Sequence, residues 1–299
     1  MNQSIINEIA STHLGKKGGE GYKDQYDKSL LVRIPRSLNR EVYQISNDKL
    51  PFVGVDVWNA YEVSALTENG FPVTGILKIR YSSDSEYHVE SKSLKLYLNS
   101  YNMTKIGKTV KEVQSEIENR VEADLRDLLE TDIRVNFFTE GDAAQSEGFE
   151  GYVRIQNLIP NLDDIQFTSY KSDASQLQSS NINGVLRLEI DFLRSNCRVT
   201  YQPDWGKLYL YIRSHNLPDV TSIAKYVVSH RTISHFHEEI VEMVYKHFMD
   251  GFNPEELMVC ALYTRRGGID INPIRASHAD LIPSFMTSED VLMRKTLMQ

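Results

Sequence analysis

Two cysteines occur in the 299 residues, and they keep unlike company. Cys197 lies in the polar and basic segment SNCRVTYQPDWG, just after a strand pattern, whereas Cys260 lies in MVCALY and reads as a buried core thiol. The thiolate is the nucleophilic form of cysteine, and a nearby cation raises its population. Arg198 or another basic group could supply that cation, which makes Cys197 the candidate nucleophile. Asp204 follows seven residues later. An extended chain at about 3.3 Å per residue would hold the two roughly 23 Å apart, so they meet only if the segment folds back. Pro203, Asp204 and Gly206 are turn formers that allow this, and Asp204 then either serves the thiol or caps a hairpin turn.

A second constellation is SHFHEE, residues 234–239. Ser234 suits the cap of a helix, and Glu238 and Glu239 suit its first turn, where the helix dipole favours a carboxylate. The sharper alternative turns His237 and Glu238 toward a pocket. There a carboxylate can accept two N–H groups from a guanine-like edge, and histidine can move a proton near neutral pH. Among the basic residues, Arg265 and Arg266, with Arg275 nine residues after Arg266, form the best cluster. Against a net charge of −8 it fits a small anion better than a nucleic acid, which needs a basic surface.

Several chemistries find no support. His235 and His237 are too close in sequence to converge from a helix, and the cysteines are not grouped with histidine, so no metal site is expected. There is neither a G-x-S-x-G elbow nor a G-x-G-x-x-G fingerprint. The Gly-rich GKKGGEG at residues 15–21 follows no strand and lacks the closing Lys-Ser/Thr of a phosphate loop. No apolar run reaches the about 18 residues of a membrane span, and the first residues lack the order of a signal peptide. Two cysteines argue for a reducing, cytoplasmic setting.

The elements that must position these residues are readable from periodicity. Residues 1–50 mix Gly, Lys, Asp and Ser and read as an arm. A first unit, 51–140, holds strand patterns from near residue 71 (Val73, Gly75, Leu77, Ile79) and again at VESKSLKLYLNS, 89–100, where Leu94, Leu96 and Leu98 share a face. The period then changes: Val110, Val113, Ile117, Val121, Leu125 and Leu128 form one stripe of a helix, and 133–138 is a strand. Residues 141–183 read as a connector with one short strand. The second unit, 184–299, has strands at Leu186–Phe192, Leu208–Ile212 and Leu257–Tyr263, with helices marked by Val220, Ile223, Val227 and by Phe236, Ile240, Val244, Phe248. The fold class is α+β, antiparallel sheets with helices on one side, in two halves of like element order.

These motifs resemble one family. VESKSLKLYLNS is similar to the E-S-K-S-x-K-x-Y-x-N-S segment of the QueF family, the 7-cyano-7-deazaguanine reductases. PRSLNR (35–40), GVDVWNAYE (54–62), SNCRVTYQPDWG (195–206), FHEE (236–239) and YTRRGGIDINP (263–273) resemble that family's segments in its order, over about residues 13–285. Departures are SSDSEYHVE before the main motif, NMTKI after it, and the poorly matching 141–183. The resemblance implies two tandem tunnelling-fold units, a homodimer, and NADPH as cofactor, with no direct contact to nucleic acid. It implies that Cys197 attacks the nitrile carbon of 7-cyano-7-deazaguanine as a thioimide-forming nucleophile and that Asp204 donates the proton, with His237 also catalytic. Val89, Glu90, Ser91, His237 and Glu238 would hold the substrate, and Ser91, Lys92, Arg266 and Gly267 the NADPH. Two rivals share this frame: an amidine-forming relative acting on the same nitrile without NADPH, and a purine-binding module with a spent nucleophile. The retained E-S-K-S segment argues against the first.

Overall fold

The computed structural model describes residues 23–140, 142, 145–296 and 299, so the GKKGGEG segment lies outside the described residues. From residue 23 the chain makes strand β1 (Arg33–Pro35), the short helix α1 (Ser37–Arg40), and two long strands, β2 (Val53–Leu66) and β3 (Pro72–Ser82). Strand β4 (Tyr87–Val89) leads into helices α2 (Ser91–Asn99) and α3 (Val110–Leu129), and β5 (Ile133–Phe138) follows. Strands β6 (Gln145–Glu147) and β7 (Val153–Arg154) lie between the halves. The order then repeats with β8 (Gly184–Cys197), β9 (Pro203–Ser214), helix α4 (Val220–Ser229), the two-residue β10 (Ser234–His235), helix α5 (His237–Phe252), β11 (Glu256–Tyr263) and β12 (Ile269–Ala276). Helix α6 (Ser284–Thr287) and β13 (Val291–Met293) follow. Strand, strand, helix, helix, strand thus occurs twice, the α+β layout expected from periodicity.

The two halves share one nine-stranded sheet, ordered β10-β8-β9-β11-β12-β2-β3-β5, with β7 beside β8. The junction is the antiparallel pairing of β12 with β2, from Ile269 opposite Ala60 to Ala276 opposite Val53. Both helix pairs cover the same side. Leu77 and Ile79 pack under the α3 stripe Val113, Ile117, Val121 and Leu125, and Leu210 and Ile212 pack under Ile223, Ile240 and Val244. On β11 the odd residues Leu257, Val259 and Ala261 face those helices. The even residues Met258 and Cys260 face a smaller core closed by Phe285, Met286 and Met293. Cys260 is fully buried, as expected of a core thiol.

Some elements differ from the sequence reading. Residues 89–100 are mostly helix, not strand. The Glu90 carboxylate caps α2 by accepting from the backbone N–H of Lys92 (3.0 Å) and Ser93 (2.7 Å). Leu94, Tyr97, Leu98 and Tyr101 then form a buried 3,4-spaced stripe that an eye on Leu94, Leu96 and Leu98 mistakes for alternation. Strands β2 and β12 went unread because most of their residues are buried on both faces, which erases alternation. In β8 a register shift between Ile190 and Leu193 buries Leu193 where alternation points to Phe192.

Where β2, β12, α1 and α5 meet, five charged side chains are buried together. Arg275 donates to Asp56 (2.8 Å) and to Glu242 (2.8 Å), Arg36 to Asp56 (2.6 Å), and Arg40 to Glu242 (2.8 and 2.7 Å). Arg275 is therefore not part of an anion-binding cluster with Arg266; its guanidinium is spent inside the junction. Removing one member of such a network leaves its partners charged and unpaired. Glu242→Ala should cost about 3–5 kcal/mol in denaturant melts. Lys246→Ala, which breaks an i,i+4 pair with Asp250 on the same helix, should cost no more than about 0.5 kcal/mol. Equal losses would show that the junction is not what holds the halves.

Candidate active site

Cys197 is the last residue of β8, and the hairpin to β9 closes just beyond it. Its N–H donates to the Gln202 carbonyl (2.8 Å), and Tyr201 N–H donates back to the Cys197 carbonyl (3.0 Å), with Tyr201 in the left-handed region at φ +58°. On the other side His235 of β10 pairs in register with Cys197. The fold-back required by the sequence is this hairpin, which sets Asp204 opposite Ser195.

Asp204 is buried, which raises a carboxyl. His237 Nε2 at 3.4 Å from Oδ2 and the Arg266 guanidinium on Oδ1 outweigh that burial and hold the group below its ordinary range. Arg266 also donates to Gln202 Oε1 (2.6 Å). The His237 ring stacks on Tyr263, centroids 3.8 Å apart and 12° from coplanar, which fixes its plane. His237 is the first residue of α5, whose cap is Phe236 rather than Ser234. Glu239 reaches back to the Phe236 N–H (3.3 Å), while Ser234 belongs to β10. The Arg198 guanidinium, one of the cations considered for the thiol, bonds Glu239 (2.7 Å). Burial nonetheless pushes Glu239 up to about 8.

Glu238 is buried, and among the described residues its Oε1 has no hydrogen-bond partner within ordinary distance; His88 Nδ1 faces it at 3.6 Å. Burial alone would raise this carboxyl, but His88 and Arg36 bring it below the ordinary value. A buried, ionised carboxylate with an unpartnered oxygen calls for a ligand that brings N–H groups. Glu90 differs: its oxygens already cap α2, and burial pushes it up despite those two amides.

The ten residues that the resemblance assigns to the site line one cavity of about 390 Å³: Cys197, Asp204, His237 and Glu238 on one wall, Val89, Glu90, Ser91 and Lys92 on another, Arg266 and Gly267 at the β11–β12 turn, whereas Arg198, Arg265 and Arg275 do not line it. Trp58, Ile269 and Ile271 floor it from the sheet junction. Glycine suits this turn: Gly267 and Gly268 have φ of +59° and +81°, a left-handed backbone that strains other residues. Lys92 has no carboxylate partner among the described residues and Lys95 sits 3.6 Å from Glu62, so cations border the opening as an anionic cofactor requires. Sequence reasoning missed His88, Phe236 and Trp58. The signal for His88 was present, since strand period places it on the same face as Glu90.

The Asp204 pairing has a testable sign. A carboxyl held low in the folded state adds stability that is present above its ordinary range and lost as pH falls through the folded value. Asp204→Asn should therefore melt below wild type at neutral pH, and the gap should close as the pH drops below about 4, near the reference carboxyl value. A gap independent of pH would mean that the ion pairs carry none of it.

Comparison with known proteins places the chain in a family. A family model described as nitrile reductase, 7-cyano-7-deazaguanine-reductase N-term, matches residues 22–137, and one described as QueF-like protein matches 203–281. A protein of Colwellia psychrerythraea named NADPH-dependent 7-cyano-7-deazaguanine reductase is 35% identical over 287 residues, 94% of this chain and 97% of that one. A protein of the same name from Hahella chejuensis is 39% identical over 269 residues, 89% and 93% of the two chains. A crystal structure of the archaeosine synthase QueF-Like in the apo form aligns with 33% of this chain at 18% identity and a TM-score of 0.30. Near-complete coverage at these identities, with two family segments in tandem, shows that the chain belongs to the QueF family of 7-cyano-7-deazaguanine reductases.

Proposed function

We propose that this chain uses NADPH to reduce the nitrile of 7-cyano-7-deazaguanine to the primary amine of 7-aminomethyl-7-deazaguanine, through a thioimide on Cys197. One observation carries the reading: a half-buried thiol, a carboxylate–imidazole couple and a buried carboxylate with an unpartnered oxygen border a single cavity. The relatives' names supply the substrate and the cofactor.

Glu238 accepts the N–H groups of the pyrimidine edge, with Val89, Glu90 and Ser91 on the other wall, and this turns the nitrile toward Cys197. The Cys197 sulfur bonds to the nitrile carbon, one C–N π bond breaks, and the nitrogen takes a proton. That proton comes from the Asp204–His237 couple; because the carboxyl is held low, Asp204 acts together with the imidazole rather than alone. Ser91, Lys92, Arg266 and Gly267 would hold NADPH, which when bound would supply two hydrides, so that two hydrides and two protons convert the nitrile to CH2NH2. The sulfur leaves once the carbon is at the imine level, which regenerates the thiol. Covalent catalysis of this kind replaces one difficult addition with two easier ones. The reading includes a homodimer, for which the β5 edge, paired only with β3 among the described residues, offers an open strand. It also includes a cytoplasmic setting, since Cys197 must stay a free thiol.

The test is loss of NADPH absorbance that depends on the nitrile, with the amine identified by mass. Cys197→Ala should abolish it. Asp204→Asn should bind substrate yet turn over about 10²-fold more slowly, the scale of general acid catalysis. Glu238→Ala should weaken substrate binding by about ten- to a hundredfold, the worth of a charged hydrogen bond. Turnover surviving in Cys197→Ala, or an amidine formed without NADPH consumption, would contradict the reading.

A further inference from the structure

The sequence holds no dinucleotide fingerprint, and nothing in its motifs explains a preference for NADPH over NADH. The structure places two cations where such a preference could be set. Tyr61 of β2 donates its N–H to the Gly268 carbonyl (2.8 Å), which pins its ring beside the Gly267–Gly268 turn that borders the cavity. Its hydroxyl donates to Asp270 (2.7 Å), so the ring is held at both ends. Over that ring lie the Arg265 guanidinium, 4.0 Å from the centroid, and Lys295 Nζ, 4.9 Å from it. Among the described residues neither cation has a carboxylate within ion-pair distance. Glu62, near the same turn, faces Lys95, and Asp270 is engaged by Tyr61, Asn59 and Asn272.

We infer that Arg265 and Lys295, gathered on the Tyr61 ring, form the subsite for the ribose 2′-phosphate of the nicotinamide cofactor and so set the choice of NADPH. The inference rests on the reading above and deepens it. Two like charges drawn to one ring repel each other, and a phosphate of roughly −1.5 to −2 charge relieves that repulsion. Arginine presents paired N–H donors that match two phosphate oxygens, and lysine adds a point charge. The ribose of NADH offers only a neutral hydroxyl here, which two cations hold less strongly than a charged phosphate. The position also fits the cavity: Arg266 and Gly267 lie at its edge, and Arg265 is the next residue outward.

Calorimetric titration with adenosine 2′,5′-bisphosphate and with adenosine 5′-monophosphate tests this without turnover. Wild type should bind the bisphosphate more tightly. In the Arg265→Ala/Lys295→Ala variant, both sites being exposed, bisphosphate affinity should fall by about ten- to a hundredfold or more, as for loss of charged hydrogen bonds. Affinity for the monophosphate should change less than about twofold, since every contact to be lost is to the 2′-phosphate. Wild type binding both alike, or the variant keeping its preference, overturns the subsite whether or not the nitrile is reduced. A wild type that shows the preference but never oxidises NADPH with the nitrile leaves the subsite standing and overturns the reaction instead.

Discussion

The structure turns on the buried ionic junction of Arg36, Arg40, Asp56, Glu242 and Arg275. Charges taken out of water cost several kcal/mol each and are tolerated only when every donor and acceptor is matched. Here the match requires four segments at once: the chain before β2, β2 itself, α5 and β12. Arg40 and Glu242 are 202 residues apart in sequence, yet they bond through two nitrogens. Three guanidiniums face two carboxylates, which leaves positive charge in a buried place. Glu238 lies one helical turn before Glu242 on α5, and Arg36 helps bring its carboxyl below the ordinary value. His88, which lies outside the junction, does most to lower the Glu238 carboxyl, while within the junction Asp56 pushes it up and Arg36 pushes it down.

Position follows from the same constraint. Helix α5 is held at Glu242, so its first turn, with His237 and Glu238, has a fixed place over the sheet. The β8–β9 hairpin is tied to that turn twice, by His235 beside Cys197 and by Arg198 on Glu239. The thiol, the carboxylate–imidazole couple and the anchor are therefore set relative to each other by backbone pairing and buried ion pairs, as a covalent mechanism needs. The cofactor side is built differently, from a glycine turn and exposed or half-exposed cations that a ligand can rearrange.

Much of this was legible in sequence, and the exceptions share a cause. The α3 stripe and the strand 133–138 could be read because one face meets solvent and the other meets core. Strands β2 and β12 could not, because Asp56, Asn59, Asp270, Asn272 and Arg275 are polar residues in the interior, with Asn59 bonded to Asp270 and Arg275 to Asp56 across long sequence separations. Arg275 looked like a surface cation for the same reason. The segment 89–100 was misread because Leu94, Leu96 and Leu98 fit two periods, and the deciding fact, the Glu90 cap, is a contact of the folded chain. The residues of the candidate site were nominated by motif rather than by periodicity; Tyr61 lay within GVDVWNAYE without a role of its own, and His88 lay in the segment SSDSEYHVE that departs from the family pattern.

The central claim is that Cys197 becomes covalently joined to the nitrile carbon. Protein mixed with 7-cyano-7-deazaguanine in the absence of NADPH, then digested and mapped by mass spectrometry, tests it directly. The account predicts that the full mass of the nitrile is added to the peptide holding Cys197 and is lost again when NADPH is supplied. An adduct on Cys260, or no adduct in protein that turns over normally, would contradict it.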